Sequence, residues 1–300
     1  MILVVGEALV DVVERPDGTR SEHAGGSPAN VAVGLGRVGL EVTLATTLGD
    51  DRHGDLVRRH LTESNVTVAA STAARTSSAV ARVDEHGSAS YEFDVTWDPG
   101  TIEPGETPAA VHTGSIAAVL EPGADEVEAM LGRLQPTSIV TFDPNARPSL
   151  TPDRAAVHER IERLVALSDV VKASDEDLAW LHPDDSVDAV AQRFLALGAS
   201  LVVATRGREG SVAWAQSGRV EVALRSAEVV DSVGAGDAYM SGLIVALHLE
   251  GLLDAATRDR LRAVDSDTVR RLTGIAADSA ALVVGRPGAD PPWRNDLLGT

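Results

Sequence analysis

Residues 231–237 read Asp-Ser-Val-Gly-Ala-Gly-Asp and lead directly into a helical pattern of apolar residues that runs to Leu249. A helix that begins here would present unpaired backbone N–H groups and the positive end of its dipole, which together bind anions. Asp237 lies at the mouth of this anion site, where its carboxylate would repel a phosphate. It fits better as a base that takes a proton from a hydroxyl attacking the phosphate. The stretch therefore indicates phosphoryl transfer to a hydroxyl, and a glycine-rich turn with an Asp helix cap is the plain structural alternative.

The composition predicts one large globular domain without membrane or nucleic-acid partners. The chain has 300 residues, 44% of them hydrophobic, and no apolar run long enough for a transmembrane helix. Its net charge of -19 argues against binding to nucleic acid or anionic lipid. No cysteine is present, which excludes disulfides and thiolate metal sites. Residues 1–7 predict a first strand and not a signal peptide, so a cytoplasmic protein is expected.

Basic and metal-binding residues limit the chemistry further. Lys172 is the only lysine, and no glycine-rich turn precedes it, so a P-loop is excluded. Phosphates are then expected to be held by backbone amides, arginine and metal. The eight histidines show no ligand spacing, and a protein-held zinc ion is not expected.

Short apolar runs alternate with helical patterns along most of the chain. Continuous apolar runs without alternation are typical of strands buried on both faces of a parallel sheet. The predicted strands are Ile2–Val5, Val42–Thr47, Val111–Gly114, Ser138–Phe142, Asp169–Lys172 and Leu201–Ala204. The predicted helices are one opened by Ser27-Pro28, with Ser27 as N-cap, and Asp51–Glu63, Ala124–Leu134, Asp153–Leu167, Ser186–Leu197, Ala238–Leu249 and Thr268–Leu282. The pattern predicts a three-layer, Rossmann-like α/β domain with a mainly parallel sheet.

Two more polar segments break this alternation. Strand patterns at 10–15 and 19–24 flank the turn Pro16-Asp17-Gly18, and those at 78–84 and 88–95 flank Glu85-His86-Gly87. We expect these hairpins to form a small sheet that closes over a substrate, a lid made of about residues 10–25 and 75–105 of a single α/β domain that spans residues 1–300. A surface ornament is the structural alternative. The exposed face of this sheet is also a candidate homodimer interface.

A second glycine motif reads Gly25-Gly26-Ser27-Pro28-Ala29-Asn30, and the amide of Asn30 could bond sugar hydroxyls. Directly after it, residues 34–39 match the dinucleotide fingerprint G-x-G-x-x-G. That fingerprint acts only between a strand and a helix, whereas here it falls late in a predicted helix with Gly39 as the natural C-cap. An NAD(P)-dependent oxidoreductase is therefore the weaker alternative.

The two glycine motifs together resemble the signatures of the ribokinase-like (PfkB) carbohydrate kinases. Residues 25–32 with Gly39 are similar to the N-terminal signature, and residues 231–237 to the C-terminal one, in the same order and spacing. Intermediate segments match as well: Gly6-Glu7 with Asp11, residues 143–147, Thr205-Arg206-Gly207 with Gly210, and residues 286–292. The resemblance covers nearly the whole chain.

The resemblance implies an ATP-dependent kinase that acts on a sugar hydroxyl. Asp237 takes the role of general base, and Gly234, Ala235 and Gly236 form the anion hole for the transferring phosphoryl group. The implied nucleotide contacts are Thr205, Gly207, Gly210, Gly234 and Gly236. The implied sugar contacts are Asp11, Gly25, Gly26, Asn30 and Arg147. ATP and Mg²⁺ are the implied cofactors, and some members of the family also bind a monovalent cation near the second signature.

One departure concerns the metal. The family often has Asn-x-x-Glu after the fifth strand, whereas residues 174–177 read Ser-Asp-Glu-Asp. Asp177 keeps a carboxylate and is expected to reach magnesium through water. Ser-x-x-Asp is also an ordinary capping box, so Ser174 and Asp177 could both be purely structural.

The choice of sugar rests on finer similarities. Gly6-Glu7 with Asp11 and the ending at 286–292 look most like fructokinases, so D-fructose is the expected substrate. A 2-keto-3-deoxygluconate kinase is the first alternative, because Arg147 could bind a carboxylate. The three acids in residues 91–98 would repel such an anion, unless they face solvent. Another sugar or a nucleoside stays open.

Overall fold

The main sheet of the protein has nine strands. The computed structural model describes residues 1–84, 89–151, 153–223 and 229–299. The strands follow the spatial order β13-β12-β11-β10-β9-β8-β1-β4-β5. Neighbours from β11 to β5 are parallel, whereas β12 and β13 are added antiparallel at one edge. The strands of this sheet are β1 (Ile2–Val5), β4 (Val42–Gly49), β5 (Val66–Ala73), β8 (Ala110–Gly114), β9 (Ile139–Asp143), β10 (Val170–Ser174), β11 (Leu201–Thr205), β12 (Ser211–Ala215) and β13 (Gly218–Val222).

The small sheet is separate and has the order β3-β2-β6-β7. It consists of β2 (Leu9–Glu14), β3 (Arg20–Gly25), β6 (Ser78–Val83) and β7 (Ala89–Asp94), with β2 and β6 parallel and the outer pairs antiparallel. The two hairpins predicted from the sequence thus pair with each other as expected. The predicted turn at 85–87 lies outside the described residues. Beyond β7, Trp97 and Ile102 are buried in the core of the main domain.

Helices cover both faces of the main sheet, which gives the three-layer α/β fold predicted from the sequence. One apolar core includes residues of α1, α2, α7 and α9, and the other includes residues of α3 to α6. No helix in the described residues is long and apolar enough to cross a membrane. The helices are α1 (Ser27–Arg37), α2 (Arg52–Glu63), α3 (Gly123–Leu134), α4 (Arg154–Ala166), α5 (Asp175–Leu181), α6 (Val187–Leu197), α7 (Ala235–Leu249), α8 (Arg258–Arg262), α9 (Ser266–Val284) and α10 (Arg294–Leu298).

The start of α1 differs from the prediction. Gly26 is the N-cap, and Ser27, predicted as the cap, is the first helical residue and makes no capping hydrogen bond. The reason lies elsewhere in the chain, because the Ser27 hydroxyl donates to a carboxylate on α7. A long-range contact has replaced the local one that the sequence pattern suggested.

The fingerprint at residues 34–39 lies at the end of α1, as predicted from the sequence, and the structure gives its glycines a packing role. A Cβ on Gly34 would lie 2.7 Å from Cβ of Ser241, so glycine is needed where α1 crosses α7. Gly39 follows the end of α1 with φ of 88°, a left-handed conformation that favours glycine. Helix packing and helix termination therefore account for these glycines without a dinucleotide.

Candidate active site

The carboxyl ends of adjacent parallel strands meet at one edge of the main sheet. Asp143, Ser174 and Thr205 are the last residues of β9, β10 and β11, and Ser174 pairs in register with Thr205. In open α/β sheets this is the edge at which ligands bind. The sequence motifs that follow these strands are thereby brought to one place.

Asp237 is the third residue of α7 and is buried. The hydroxyl of Ser27 donates to its Oδ1 at 2.6 Å, and Nδ2 of Asn30 donates to its Oδ2 at 2.8 Å. The first N–H groups of a helix have no intrahelical acceptor, so Gly236 and Asp237 offer theirs at the same place. The two glycine motifs, more than 200 residues apart in the chain, therefore meet around a single carboxylate.

Gly234 shapes the turn that precedes this helix. Its φ of 77° is left-handed, and a Cβ there would lie 2.8 Å from Cα of Ala289. The segment that includes Ala289 packs on the glycine turn, and the N–H of Gly288 donates to Oδ2 of Asp231 at 2.9 Å. The guanidinium of Arg37, at the end of α1, donates to the carbonyl oxygen of Pro291 at 2.6 Å. This segment therefore joins both signature motifs from the outside.

A buried ion pair lies beneath the glycine turn. Nζ of Lys172, on β10, is 2.5 Å from Oδ2 of Asp143, and both side chains are almost fully buried. A Cβ on Gly236 would lie 3.2 Å from the same Nζ, so the ammonium lies directly beside the predicted anion hole. Burial raises the pKa of Asp143 to about 6, and the neighbouring Lys172 opposes that rise. The expectation that phosphates meet only amides, arginine and metal therefore overlooked the single lysine.

Carboxyl groups also surround the predicted sugar site. A Cβ on Gly25 would overlap the carboxylate of Asp11, which places the two residues side by side. Burial, and then the negative charge of Asp237, raise the pKa of Asp11 to about 6, while His23 and Arg147 lower it. Asp11 is therefore close enough to both Asp237 and Arg147 for their charges to shift its pKa.

Glu7 is a further buried carboxyl, directly before the small sheet. Its Oε2 accepts a hydrogen bond from the N–H of Ala117 at 3.0 Å, and burial raises its pKa to about 7. A Cβ on Gly26 would lie 2.6 Å from the Glu7 carbonyl oxygen, so the backbone before β2 touches the start of α1. Glu7 thereby fixes the segment from which Asp11 extends.

Arg147 is half-buried and folds back on its own loop. Its Nη1 donates to the carbonyl oxygens of Asn145 and Ala146 and to Oδ1 of Asn145, at 2.6–3.0 Å. The structure thus places Arg147 near the other predicted sugar contacts, with its Nη1 already hydrogen-bonded to the loop. Within the described residues, the other guanidinium nitrogens of Arg147 make no hydrogen bond that would compete with a sugar oxygen.

The predicted nucleotide loop connects β11 to β12. Thr205 ends β11, Gly207 begins a single 3₁₀ turn, and the N–H of Arg206 donates to the carbonyl oxygen of Gly210 at 2.8 Å. Because Thr205 pairs in register with Ser174, this loop lies at the same edge of the sheet as the turn before α7. The structure therefore brings the predicted nucleotide residues to the carboxyl edge of the sheet.

Asp177, the residue predicted to reach magnesium through water, forms a capping box with Ser174. The hydroxyl of Ser174 accepts from the N–H of Asp177, and Oδ2 of Asp177 accepts from the N–H of Ser174 at 3.0 Å. Oδ1 of Asp177 accepts in addition from the N–H of Ala146 at 2.8 Å. Asp177 thus holds the loop after β9 against α5, and each of its oxygens keeps a lone pair for a further ligand. Its role toward magnesium stays a prediction.

Comparisons with known proteins agree with this geometry. The pfkB family carbohydrate kinase profile matches residues 1–296. The chain belongs to this family. A fructokinase of Rhizobium leguminosarum bv. trifolii is 35% identical over 286 residues, which cover 90% of this chain and 86% of the relative.

Solved structures of kinases share the fold over nearly all of the chain. The crystal structure of an ATP-bound fructokinase from Xylella fastidiosa superposes with a TM-score of 0.85 at 28% identity, covering 96% of this chain and 93% of that one. A double-mutant fructokinase from Vibrio cholerae O395, in its fructose, ADP and potassium ion bound form, gives a TM-score of 0.80 at 25% identity with the same coverage. The carbohydrate kinase and its ribokinase-like fold, expected from the two signatures, are thereby confirmed.

Proposed function

We propose that this carbohydrate kinase transfers the γ-phosphoryl group of ATP to the 6-hydroxyl of D-fructose. The observation that carries the proposal is the buried Asp237 at the N-terminus of α7, fixed by Ser27 and Asn30 beside free helix N–H groups. A base and an anion site within one helical turn are what in-line phosphoryl transfer to a hydroxyl needs. The fructokinases among the relatives and solved structures support fructose as the acceptor.

Each predicted site residue has a role in this proposal. Asp237 accepts the proton as the sugar hydroxyl attacks, and the N–H groups of the Gly234–Gly236 turn hold the transferring phosphoryl group. Lys172 adds a positive charge next to Gly236 at a buried position, where charge is poorly screened. The sugar contacts are Asp11, Gly25, Gly26, Asn30 and Arg147, and the nucleotide contacts are Thr205, Gly207 and Gly210 with the turn before α7.

Magnesium fits the acidic edge of the sheet as a partner of ATP. Mg²⁺ prefers oxygen ligands, keeps several waters, and is commonly bound through one or two carboxylates together with substrate phosphates. Asp177 meets this description, because each of its oxygens keeps a free lone pair. When bound, the ion would neutralise charge that develops on the phosphates. The Vibrio cholerae fructokinase structure contains a potassium ion, which supports a monovalent cation in this enzyme as well. We propose that such an ion binds near residues 231–237.

Electrostatics of the small sheet bear on the choice of substrate. The predicted repulsion of an anionic sugar acid rested on three acids, Glu92, Asp94 and Asp98. The structure shows Glu92 exposed and 2.6 Å from Nη1 of Arg82, and Asp94 3.0 Å from Nε of Arg75. The first two carboxylates thus have an arginine partner, and Asp98 is exposed to solvent, so the repulsion argument loses its force. Fructose is therefore favoured over 2-keto-3-deoxygluconate by the relatives and not by the charge of this strand.

A coupled assay of ATP consumption with magnesium tests the proposal directly. The panel is fructose, 2-keto-3-deoxygluconate, ribose, glucose, fructose 6-phosphate and adenosine. Selective turnover of fructose is the expected result. Selective turnover of the keto-deoxy acid would contradict fructose as the substrate and would indicate that Arg147 binds the carboxylate. The role of Asp237 as the base would not be affected. A folded protein that phosphorylates none of the panel would contradict the proposal.

The proposal also includes the cellular location of the enzyme. We expect a cytoplasmic enzyme, since its substrates ATP and free sugar are small and soluble.

The small sheet is proposed as a lid over the sugar and as the contact surface of a homodimer. Size-exclusion chromatography with light scattering would separate a monomer from a dimer.

A further inference from the structure

A cluster of three metal-ligand side chains lies apart from the residues of the active site. His158 and Glu162 are one turn apart on α4, and His182 is the C-cap of α5. One ligand atom from each of the three lies within 4.8 Å of the other two. In the parts of the chain that the structure describes, no other group of three or more His, Cys, Asp or Glu residues meets this condition. His182 joins the pair only through the fold, so the spacing of the histidines in the sequence did not reveal it.

The surroundings of His182 indicate that the cluster can bind a ligand. The residue is 6% exposed, and its Nε2 is buried without a hydrogen-bond partner. Its ring packs edge-on against His158 and Phe194, with centroids 4.6 and 5.9 Å away. A buried nitrogen without a partner costs free energy, and a bound ion would remove that cost.

Glu162 and His158 already have the spacing of two ligands on one ion. Oε1 of Glu162 is 3.6 Å from Nε2 of His158. Ligands about 2.0–2.1 Å from a tetrahedral Zn²⁺ lie roughly 3.4 Å apart, so this pair needs only a small adjustment. Arg193 donates to both oxygens of Glu162, from Nε to Oε1 and from Nη2 to Oε2 at 3.0 Å, which orients the carboxylate as hydrogen bonds from outside a metal site commonly do. Oε1 keeps a second lone pair for the ion. A helical ion pair would explain His158 and Glu162, and Asp185 lies 3.8 Å from Nδ1 of His182, but neither contact provides a partner for the buried Nε2 of His182.

We propose that His158, Glu162 and His182 bind a divalent transition-metal ion, and that Zn²⁺ suits this donor set best. Two imidazole nitrogens and one carboxylate oxygen are ligands of Zn²⁺, whereas Mg²⁺ and Ca²⁺ select oxygen alone. Water would fill the fourth position. The ion would tie α4 to the end of α5, the helix whose first turn carries Asp177. It is therefore a stabilising site for the phosphate edge, distinct from the magnesium that accompanies ATP.

Zinc binding by the full-length protein tests the proposal. Protein stripped with a chelator is titrated with Zn²⁺ in magnesium-free buffer, by calorimetry and by thermal unfolding. Saturable binding of one ion per chain with a rise in Tm is expected. Co²⁺ in place of Zn²⁺ should give the visible absorption bands of a four- or five-coordinate site.

Conservative variants distinguish this cluster from adventitious binding. His158 and Glu162 are partly exposed, so both can be replaced by Gln with little disturbance of the core. His158→Gln and Glu162→Gln should each weaken Zn²⁺ binding by at least about 100-fold. Glu159→Gln is the matched control, because it removes the same charge from an exposed position on the same helix and should bind like wild type. Absence of saturable binding by the wild type, or equal affinity of all four proteins, would overturn the proposal.

Discussion

Replacement of Asp237 by Asn removes the proposed base with almost no change of shape. The Asn oxygen can still accept from Nδ2 of Asn30, and its amide can donate to the Ser27 hydroxyl, which can also act as an acceptor. Both hydrogen bonds are therefore replaced. The main loss of stability is the attraction between the carboxylate and the helix N-terminus, about 0.3–1 kcal/mol. For a chain of this size, we expect Tm to fall by no more than about 3 °C.

The catalytic loss should be far larger than the loss of stability. A general base contributes about 10²–10⁴ in rate, which is about 2.7–5.4 kcal/mol of barrier. We expect kcat to fall by this factor, whereas the KM for ATP should change little, because the lost interaction belongs to the transition state. Steady-state kinetics by coupled ATP consumption, together with thermal unfolding, measures both quantities.

A milder variant provides the control for this experiment. Ser27→Ala removes one hydrogen bond to the carboxylate but leaves the base in place, so kcat should fall only about tenfold or less. Asp237→Asn also removes a charge that raises the pKa of Asp11, so that pKa should decrease in the variant. An Asp237→Asn enzyme that turns over at the wild-type rate would refute the assignment of the base.

Three further variants probe the other buried charges. Lys172→Met leaves the Asp143 carboxylate buried without its ammonium partner. The variant should lose about 3–5 kcal/mol in the free energy of unfolding and should have a lower kcat. Addition of Asp143→Leu should restore the stability measured in urea titrations but not the turnover. Asp11→Asn should raise the KM for sugar at least about tenfold. Because the pKa of Asp11 is raised to about 6, the wild-type KM should fall as pH rises through 6, and a variant with the same pH dependence would contradict this. The pKa of Glu7 is raised from 4.5 to about 7, so the folded protein binds that proton more tightly than the unfolded chain does. As pH rises from 4.5 to 7, this group should lower the free energy of unfolding of the wild type by about 3 kcal/mol. Urea titrations of Glu7→Gln should lack that pH dependence.

The interior of the main sheet could be predicted from the sequence for a simple reason. Strands buried on both faces consist of continuous apolar residues, and β1, β8 and β9 are buried along their whole length. Helices with a local cap were also predictable, because Asp51, Asp153 and Ser186 make their capping hydrogen bonds within the next turn. In all these cases the determining interactions are close in sequence or depend on hydrophobicity alone.

The strands at the sheet edges were missed for the opposite reason. β5 is an edge strand in which only Val66 is buried and the other residues are half-buried or exposed, and its residues are mostly small. β13, the strand at the opposite edge, buries only Val220. β12 was also missed, although it is buried along its whole length between β11 and β13. Half-exposed strands of small residues differ little from loops in composition, so only pairing with a neighbour defines them.

The active site was predictable in its motifs but not in its contacts. The sequence placed Asp237 and Asn30 in one site by resemblance, but it did not indicate that Asn30 bonds the base directly. Lys172 was overlooked because it lacks a P-loop, although it lies near the carboxyl end of a buried strand. A charged residue near the carboxyl end of an otherwise apolar, buried parallel strand lies close to the edge where ligands bind, and this signal could have identified it.

The hydrogen bond from Ser27 to Asp237 joins residues 210 positions apart. During synthesis on the ribosome, Ser27 emerges early, and its partner emerges only after most of the chain has been made. Contacts so distant in sequence form late, because the intervening chain must close on itself first. A nascent or truncated chain that ends before α7 therefore carries the first glycine motif without a base. Turnover per molecule is thus a direct measure of the fraction of chains that have finished folding.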